Sequence, residues 1–194
     1  MLGAQDVFWE EAGPYAGEVS GRQLASLGVR YVIVGHSERR MYFGESDAMI
    51  NKKIRAALKQ NIMPIICVGE QERAGADIPP IVSEQVRAAF AGIKRESSKR
   101  IVVAYEPMWA ISTTHGSQID TPEGIFRARL AIEKSIAEIY DSIAVKNVRI
   151  IYGGSVRPEQ IRVIMKEGHM DGVLVGRASL SAEGFGEIVR RAAG

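Results

Sequence analysis

The sequence predicts an α/β fold assembled from repeated βα units around a parallel sheet. Short β-branched runs alternate with longer segments of helical period, and the runs are mostly apolar without alternation, as strands covered by helices on both faces should be. Helix-start residues also stand where that alternation needs them. The first strand is expected at Gly3–Val7, after which Ser20 can cap a helix that ends before Gly28. Tyr31–Gly35, Met63–Val68 and Ile101–Tyr105 follow as strands. Thr121-Pro122-Glu123 then sets a cap, a first-turn proline and an acid in order, and so opens a helix before the strand Val148–Tyr152. Arg157-Pro158-Glu159 starts another helix that stops near Gly168, Gly172–Val175 is the sixth strand, and Ser181-Ala182-Glu183 begins the last helix. No low-complexity linker interrupts these six units, so residues 1–194 read as a single domain.

At 194 residues and 46% hydrophobic content the chain can bury a sizeable core. Lys and Arg number 25 against 23 Asp and Glu, and a net charge of +2 makes no strong field for nucleic acid or an anionic membrane. A small-molecule partner is the expectation. Cys67 is the single cysteine and cannot form an intramolecular disulfide. The stretch from Met1 to Val7 lacks the basic region and long apolar run of a signal peptide, and no apolar run approaches the roughly 18 residues a membrane helix needs. A cytoplasmic location with no membrane contact follows as an expectation.

Gly35-His36-Ser37-Glu38-Arg39-Arg40 comes directly after a strand, which places His36 at the carboxyl edge of the sheet and makes Ser37 a candidate helix cap. A helix amino terminus disfavours imidazolium and offers an amide to one ring nitrogen, leaving a neutral ring whose other N–H can polarise a carbonyl. Alone, the motif more readily fits a histidine satisfied in a turn. Ala104-Tyr105-Glu106-Pro107-Met108-Trp109-Ala110-Ile111 ends another strand in a carboxylate, and the proline holds Glu106 at the strand's mouth. Were Trp109-Ala110-Ile111 to fold over it, loss of water would suit Glu106 to taking a proton from carbon. An exposed strand-end acid beside a core tryptophan fits the same residues. Tyr152-Gly153-Gly154-Ser155-Val156 and Leu174-Val175-Gly176-Arg177-Ala178-Ser179 close the last two strands with small residues, so that backbone amides could approach an anion such as phosphate. Each glycine pair alone also serves a tight turn. Cys67 sits in an apolar run and reads as core, His115 and His169 share no metal-ligand spacing, and Arg39-Arg40 and Arg190-Arg191 read as solvated helix faces.

Taken together, Val34 to Arg40, Ala104 to Ile111, Tyr152 to Val156 and Asp171 to Gly176 resemble the triosephosphate isomerase family in identity, order and spacing, and Ala4-Gln5-Asp6 with Gly17-Glu18-Val19-Ser20 extends the match toward the amino terminus. The resemblance implies a TIM-barrel-derived fold, an incomplete parallel barrel with about six of the usual eight βα units, starting near the third strand. It implies an aldose–ketose isomerase of glycolysis and gluconeogenesis that interconverts dihydroxyacetone phosphate and glyceraldehyde 3-phosphate without a cofactor. Glu106 matches the family's base, His36 its neutral electrophile and Glu38 a supporting acid. Ser112, Gly153, Gly154, Ser155, Gly176 and Arg177 match substrate-binding positions, with Ser155, Gly176 and Arg177 as backbone donors to phosphate. The lid would run from Pro107 to about Gly116.

Three departures from the family pattern shape the functional expectation. The family's first strand carries an Asn-x-Lys pair whose ammonium contacts substrate, and no such segment occurs here, so activity is expected to be weak or absent. Ser112-Thr113-Thr114-His115-Gly116 stands where the lid usually has Gly-Thr-Gly, and Ala16 tips the loop that usually docks a partner subunit through threonine. Arg177 occupies the second loop glycine, where a backbone N–H survives. The alternatives are a non-catalytic phosphate-ligand binder or assembly protein, and a fragment that works when another chain supplies the first two strands. Open sheet edges make a homo-oligomer the expected state.

Overall fold

A computed structural model of the chain describes residues 1–111 and 118–194. Five strands, β1 (Gly3–Ala4), β2 (Tyr31–Val34), β3 (Met63–Val68), β4 (Val102–Tyr105) and β5 (Arg149–Tyr152), form one parallel sheet in chain order. Order in space equal to order in sequence is the winding of a barrel wall, each crossover returning to the next position. Register runs Tyr31 to Met63, Ile65 to Val102 and Val102 to Arg149. All four β4 residues are buried, which is why that run carries no polar alternation.

Helices α1 (Gly21–Ser26), α2 (Ser37–Phe43), α3 (Asp47–Lys59), α4 (Pro80–Phe90), α5 (Arg95–Ser98), α6 (Pro122–Ile139), α7 (Ser142–Asn147), α8 (Ile161–Lys166) and α9 (Ala182–Ala193) lie between and after the strands. Ile54 and Ala57 of α3, Val82 and Val86 of α4, and Ile132 and Ile136 of α6 bury their side chains in the core with the sheet residues. Three of the caps read from sequence are in place. Ser20 and Gln23 form a reciprocal capping box, Thr121 accepts from the Gly124 amide at 3.0 Å, and Ser181 accepts from the Gly184 amide at 3.1 Å. Pro158 opens a 3-10 turn, Pro158–Gln160, that leads into α8.

Two strand expectations are corrected. Of Gly3–Val7 only Gly3–Ala4 pairs; Val7 instead turns into the core, and Phe8 bridges Ser20. Gly172–Val175 is reduced to one bridge between Val173 and Tyr152, carried by the Tyr152 amide to Gly172 O at 3.0 Å and the Leu174 amide to Tyr152 O at 2.8 Å. Among the described residues neither segment has a partner on its outer side, so there is nothing to extend the ladder. The sheet therefore has five strands where six were expected, and it stays open between β1 and Val173.

Gly69, just past β3, has no room for a side chain: an added Cβ would lie 2.1 Å from the carbonyl oxygen of Glu106 and 2.5 Å from its carbon. Both of its backbone groups are held by Gln85, at 2.8 and 3.3 Å. Gly69→Ala forces backbone against backbone and is expected to lower stability by about 1–3 kcal/mol, read as a reduced urea midpoint at unchanged slope. An unchanged midpoint would show that the crossing has slack.

Candidate active site

His36 follows β2 and is the residue that caps α2, in place of Ser37; the Glu38 amide donates to His36 Nδ1 at 3.3 Å. That bond requires a lone pair on Nδ1, so the hydrogen-bond pattern assigns the proton of a neutral ring to Nε2. Nε2 lies 2.9 Å from Glu106 Oε1. Ser37 turns out to hold the same carboxylate, its amide donating to Oε2 at 3.1 Å and its hydroxyl to Oε1 at 3.2 Å. Glu106 is 3% exposed, which removes the alternative of a solvated strand-end acid. The Glu38 carboxylate is exposed and 4.0 Å from His36 Nδ1, so its backbone, more than its acid, meets the ring.

Trp109 is tied to Glu70. Its indole N–H donates to Glu70 Oε1 at 2.9 Å, and the same oxygen accepts from Tyr105 Oη at 2.8 Å and Arg73 Nε at 3.0 Å. Arg73 also pairs with Asp120 at 3.0 Å and stacks 4.7 Å over the Trp109 ring. Burial pushes the Tyr105 hydroxyl far above its ordinary range and raises Asp120 against the pull of Arg73. This knot fixes the chain on either side of the expected lid, yet Glu70, Arg73 and Asp120 were not singled out from sequence as a group. The visible signal was Glu70 at a strand end beside Gly69.

Arg39 and Arg40 are not a solvated face. Arg39 pairs with Asp6 at 2.9 Å and with buried Glu45, while Arg40 donates to Gly35 O at 2.9 Å and pairs with Asp47 at 2.7 Å. Lys53, itself buried, joins both Asp6 and Glu45. Cys67 is core as expected; burial and the adjacent Glu106 carboxylate push its thiol well up.

A cleft of about 650 Å³ opens in the gap of the sheet, lined by Gln5 and Asp6 on one edge and by Leu174 and Val175 on the other. His36, Glu38, Glu106, Gly153, Gly154, Ser155, Gly176 and Arg177 all line it. The expected phosphate donors divide. The Ser155 amide is engaged by Ala110 O at 2.8 Å, and that of Gly153 by Tyr105 O at 2.7 Å. Among the described residues the amides of Gly154, Gly176 and Arg177 make no backbone hydrogen bond. Gly154 is needed for Tyr152, whose hydroxyl would lie 2.3 Å from an added Cβ. Ser112, the Ser112 to Gly116 part of the lid and His115 lie outside the described residues.

The family model for triosephosphate isomerase matches residues 1–192. Among curated relatives, the triosephosphate isomerase of Caldanaerobacter subterraneus subsp. tengcongensis is 47% identical over 191 residues, covering 97% of this chain and 76% of the relative. That of Moorella thermoacetica is 48% identical over 191 residues, covering 97% and 75%. That of Chloroflexus aurantiacus is 47% identical over 190 residues with the same coverage. The chain thus spans about three quarters of these relatives.

The Glu106 hydrogen bond raises the pKa of His36, burial opposes it, and the balance lies above the ordinary 6.5. A histidine raised by its partner gives stability that is complete below pH 6.5 and is lost as pH rises through the folded value. The His36 ring signal is therefore expected to titrate by NMR above 6.5 in the unaltered chain and to move back toward 6.5 in Glu106→Gln. The stability difference between the two proteins should narrow as pH rises through that window. A His36 midpoint at or below 6.5 would contradict the coupling.

Proposed function

The chain belongs to the triosephosphate isomerase family, and from that premise we propose that this cleft interconverts dihydroxyacetone phosphate and glyceraldehyde 3-phosphate by proton transfer at carbon. The observation that carries the reading is the 2.9 Å contact between buried Glu106 and His36 Nε2 at the carboxyl edge of the sheet. A carbonyl compound entering between them takes over both partners. Glu106 removes the proton next to the carbonyl, the released electron pair forms the enediol double bond, and Nε2–H supports the charge growing on oxygen. The carbonyl oxygen takes up a proton through His36 while the neighbouring hydroxyl gives one up, and Glu106 returns the carbon proton to the former carbonyl carbon, leaving the C=O on its neighbour without a cofactor. Ser37 parks the carboxylate between turnovers, and Glu38 acts through its amide by fixing the ring tautomer. The loops of Gly153, Gly154, Ser155, Gly176 and Arg177 take the phosphate, with Ser112 on the lid.

These 194 residues by themselves turn over slowly. No lysine lines the cleft among the described residues, and Arg39, which does line it, is committed to Asp6 and Glu45. Losing one positioned donor from such a site costs on the order of 100- to 1000-fold in rate. The amides of Gly154 and Gly176, without a backbone partner among the described residues, also support a second reading, a phosphate-ligand site without turnover. The uncovered edges at β1 and Val173 support self-association of a cytoplasmic enzyme, since unpaired strand groups favour another chain.

A coupled assay with glyceraldehyde 3-phosphate separates these readings. The chain is expected to isomerise on the order of 100- to 1000-fold more slowly than an ordinary family member, with the residual rate lost in Glu106→Gln. A rate equal to an ordinary member's would show that another cation already serves the site, and no rate at all would favour the binding role.

A further inference from the structure

Most of the charged groups lining the cleft have partners among the described residues. Asp6 and Arg39 belong to the ion cluster with Glu45 and Lys53, Glu106 is held by His36 and Ser37, and Glu38 flanks His36. Arg157 and Arg177 line the same cleft, yet neither guanidinium makes an ion pair or hydrogen bond among the described residues. Both are exposed and open onto that cleft. The bridge between Tyr152 and Val173, with the Leu174 amide on Tyr152 O, sets the loops after β5 and after Val173 alongside each other at one end of the sheet. Arg157 closes the first of these loops and Arg177 the second, and they line the cleft together with Gly154 and Gly176, whose amides, like that of Arg177, make no backbone hydrogen bond among the described residues.

Two guanidiniums and three amides of one cleft lining thus have no acceptor among the described residues, and a guanidinium fork matches phosphate oxygens two at a time. We infer that Arg157 and Arg177 hold the phosphate of the substrate through their side chains and select a dianionic phosphate monoester over a singly charged anion. The inference rests on the function proposed above and adds to it a charge that the loop backbone does not supply. Both side chains are assigned to binding, and proton transfer is left to Glu106 and His36. The phosphate end is thereby compensated for charge, while the carbonyl end is not.

Calorimetric titration with glycerol 3-phosphate, which carries the phosphate but no carbonyl, tests this directly. Arg177→Gly and Arg157→Gly are each expected to weaken binding about tenfold. Arg177→Lys should recover part of the loss, since it restores the charge without the fork. Arg127→Gln, a charge outside the cleft, should bind as the unaltered chain does. Added salt should weaken binding less steeply in the double variant than in the unaltered chain. Thermal midpoints without ligand are expected to stay together, separating a binding role from a structural one. Equal affinity in the unaltered chain and both glycine variants would overturn the inference and leave the proposed function standing. No binding by the unaltered chain would overturn both.

Discussion

The carboxylate of Glu106 reaches His36 and Ser37 across an intervening strand, and the rest of the site depends on that reach. Glu106 follows β4 and His36 follows β2, with β3 between them. The Glu106 amide bonds Val68 O at 2.7 Å, and its carbonyl passes over Gly69, where any side chain would block it. Gln85 pins Gly69 from behind. With Pro107 fixing the next turn, the acid is buried without losing hydrogen-bond partners, three donors from His36 and Ser37 replacing the water it gave up.

Around that contact the charges fall into closed sets and an open one. Asp6, Arg39, Glu45 and Lys53 join the segment after β1 to α2 and α3, and Glu70, Arg73, Asp120, Tyr105 and Trp109 join the segment after β3 to both sides of the expected lid. Such buried sets are costly to form and costlier to break singly, so they act as positioning devices more than as sources of stability. They also leave Glu70 Oε2 and Glu45 Oε2 without partners among the described residues. The open set is Arg157 and Arg177, at the edge where the sheet does not close. Binding chemistry and backbone incompleteness thus meet at one place.

Strand positions were legible in the sequence because fully covered strands show as apolar runs, and β2 to β5 lie within a residue of where those runs put them. Gly3–Val7 and Gly172–Val175 were overread, since periodicity reports a capacity to pair and not the presence of a partner. His36, Glu106 and the two glycine loops were legible from their strand-end setting, and the structure gathers them in one cleft. Ser37 as a holder of the base, Arg39 as an ion partner of buried Glu45 and the Glu70 knot were not. Their meaning lies in contacts with residues far along the chain, 69 positions away for Ser37 and Glu106, which no local pattern encodes.

Proton transfer through Glu106 is the core of the chemistry proposed for this cleft, and hydrogen exchange reads it more directly than net turnover does. The chain incubated with dihydroxyacetone phosphate in deuterated buffer is expected to place a single deuterium, stereospecifically, on the carbon next to the carbonyl, at a slow rate still above that of buffer alone. The same incubation with Glu106→Gln should fall to the buffer rate. Exchange that persists in the variant, or that in the unaltered chain never exceeds the buffer, would contradict Glu106 as the base.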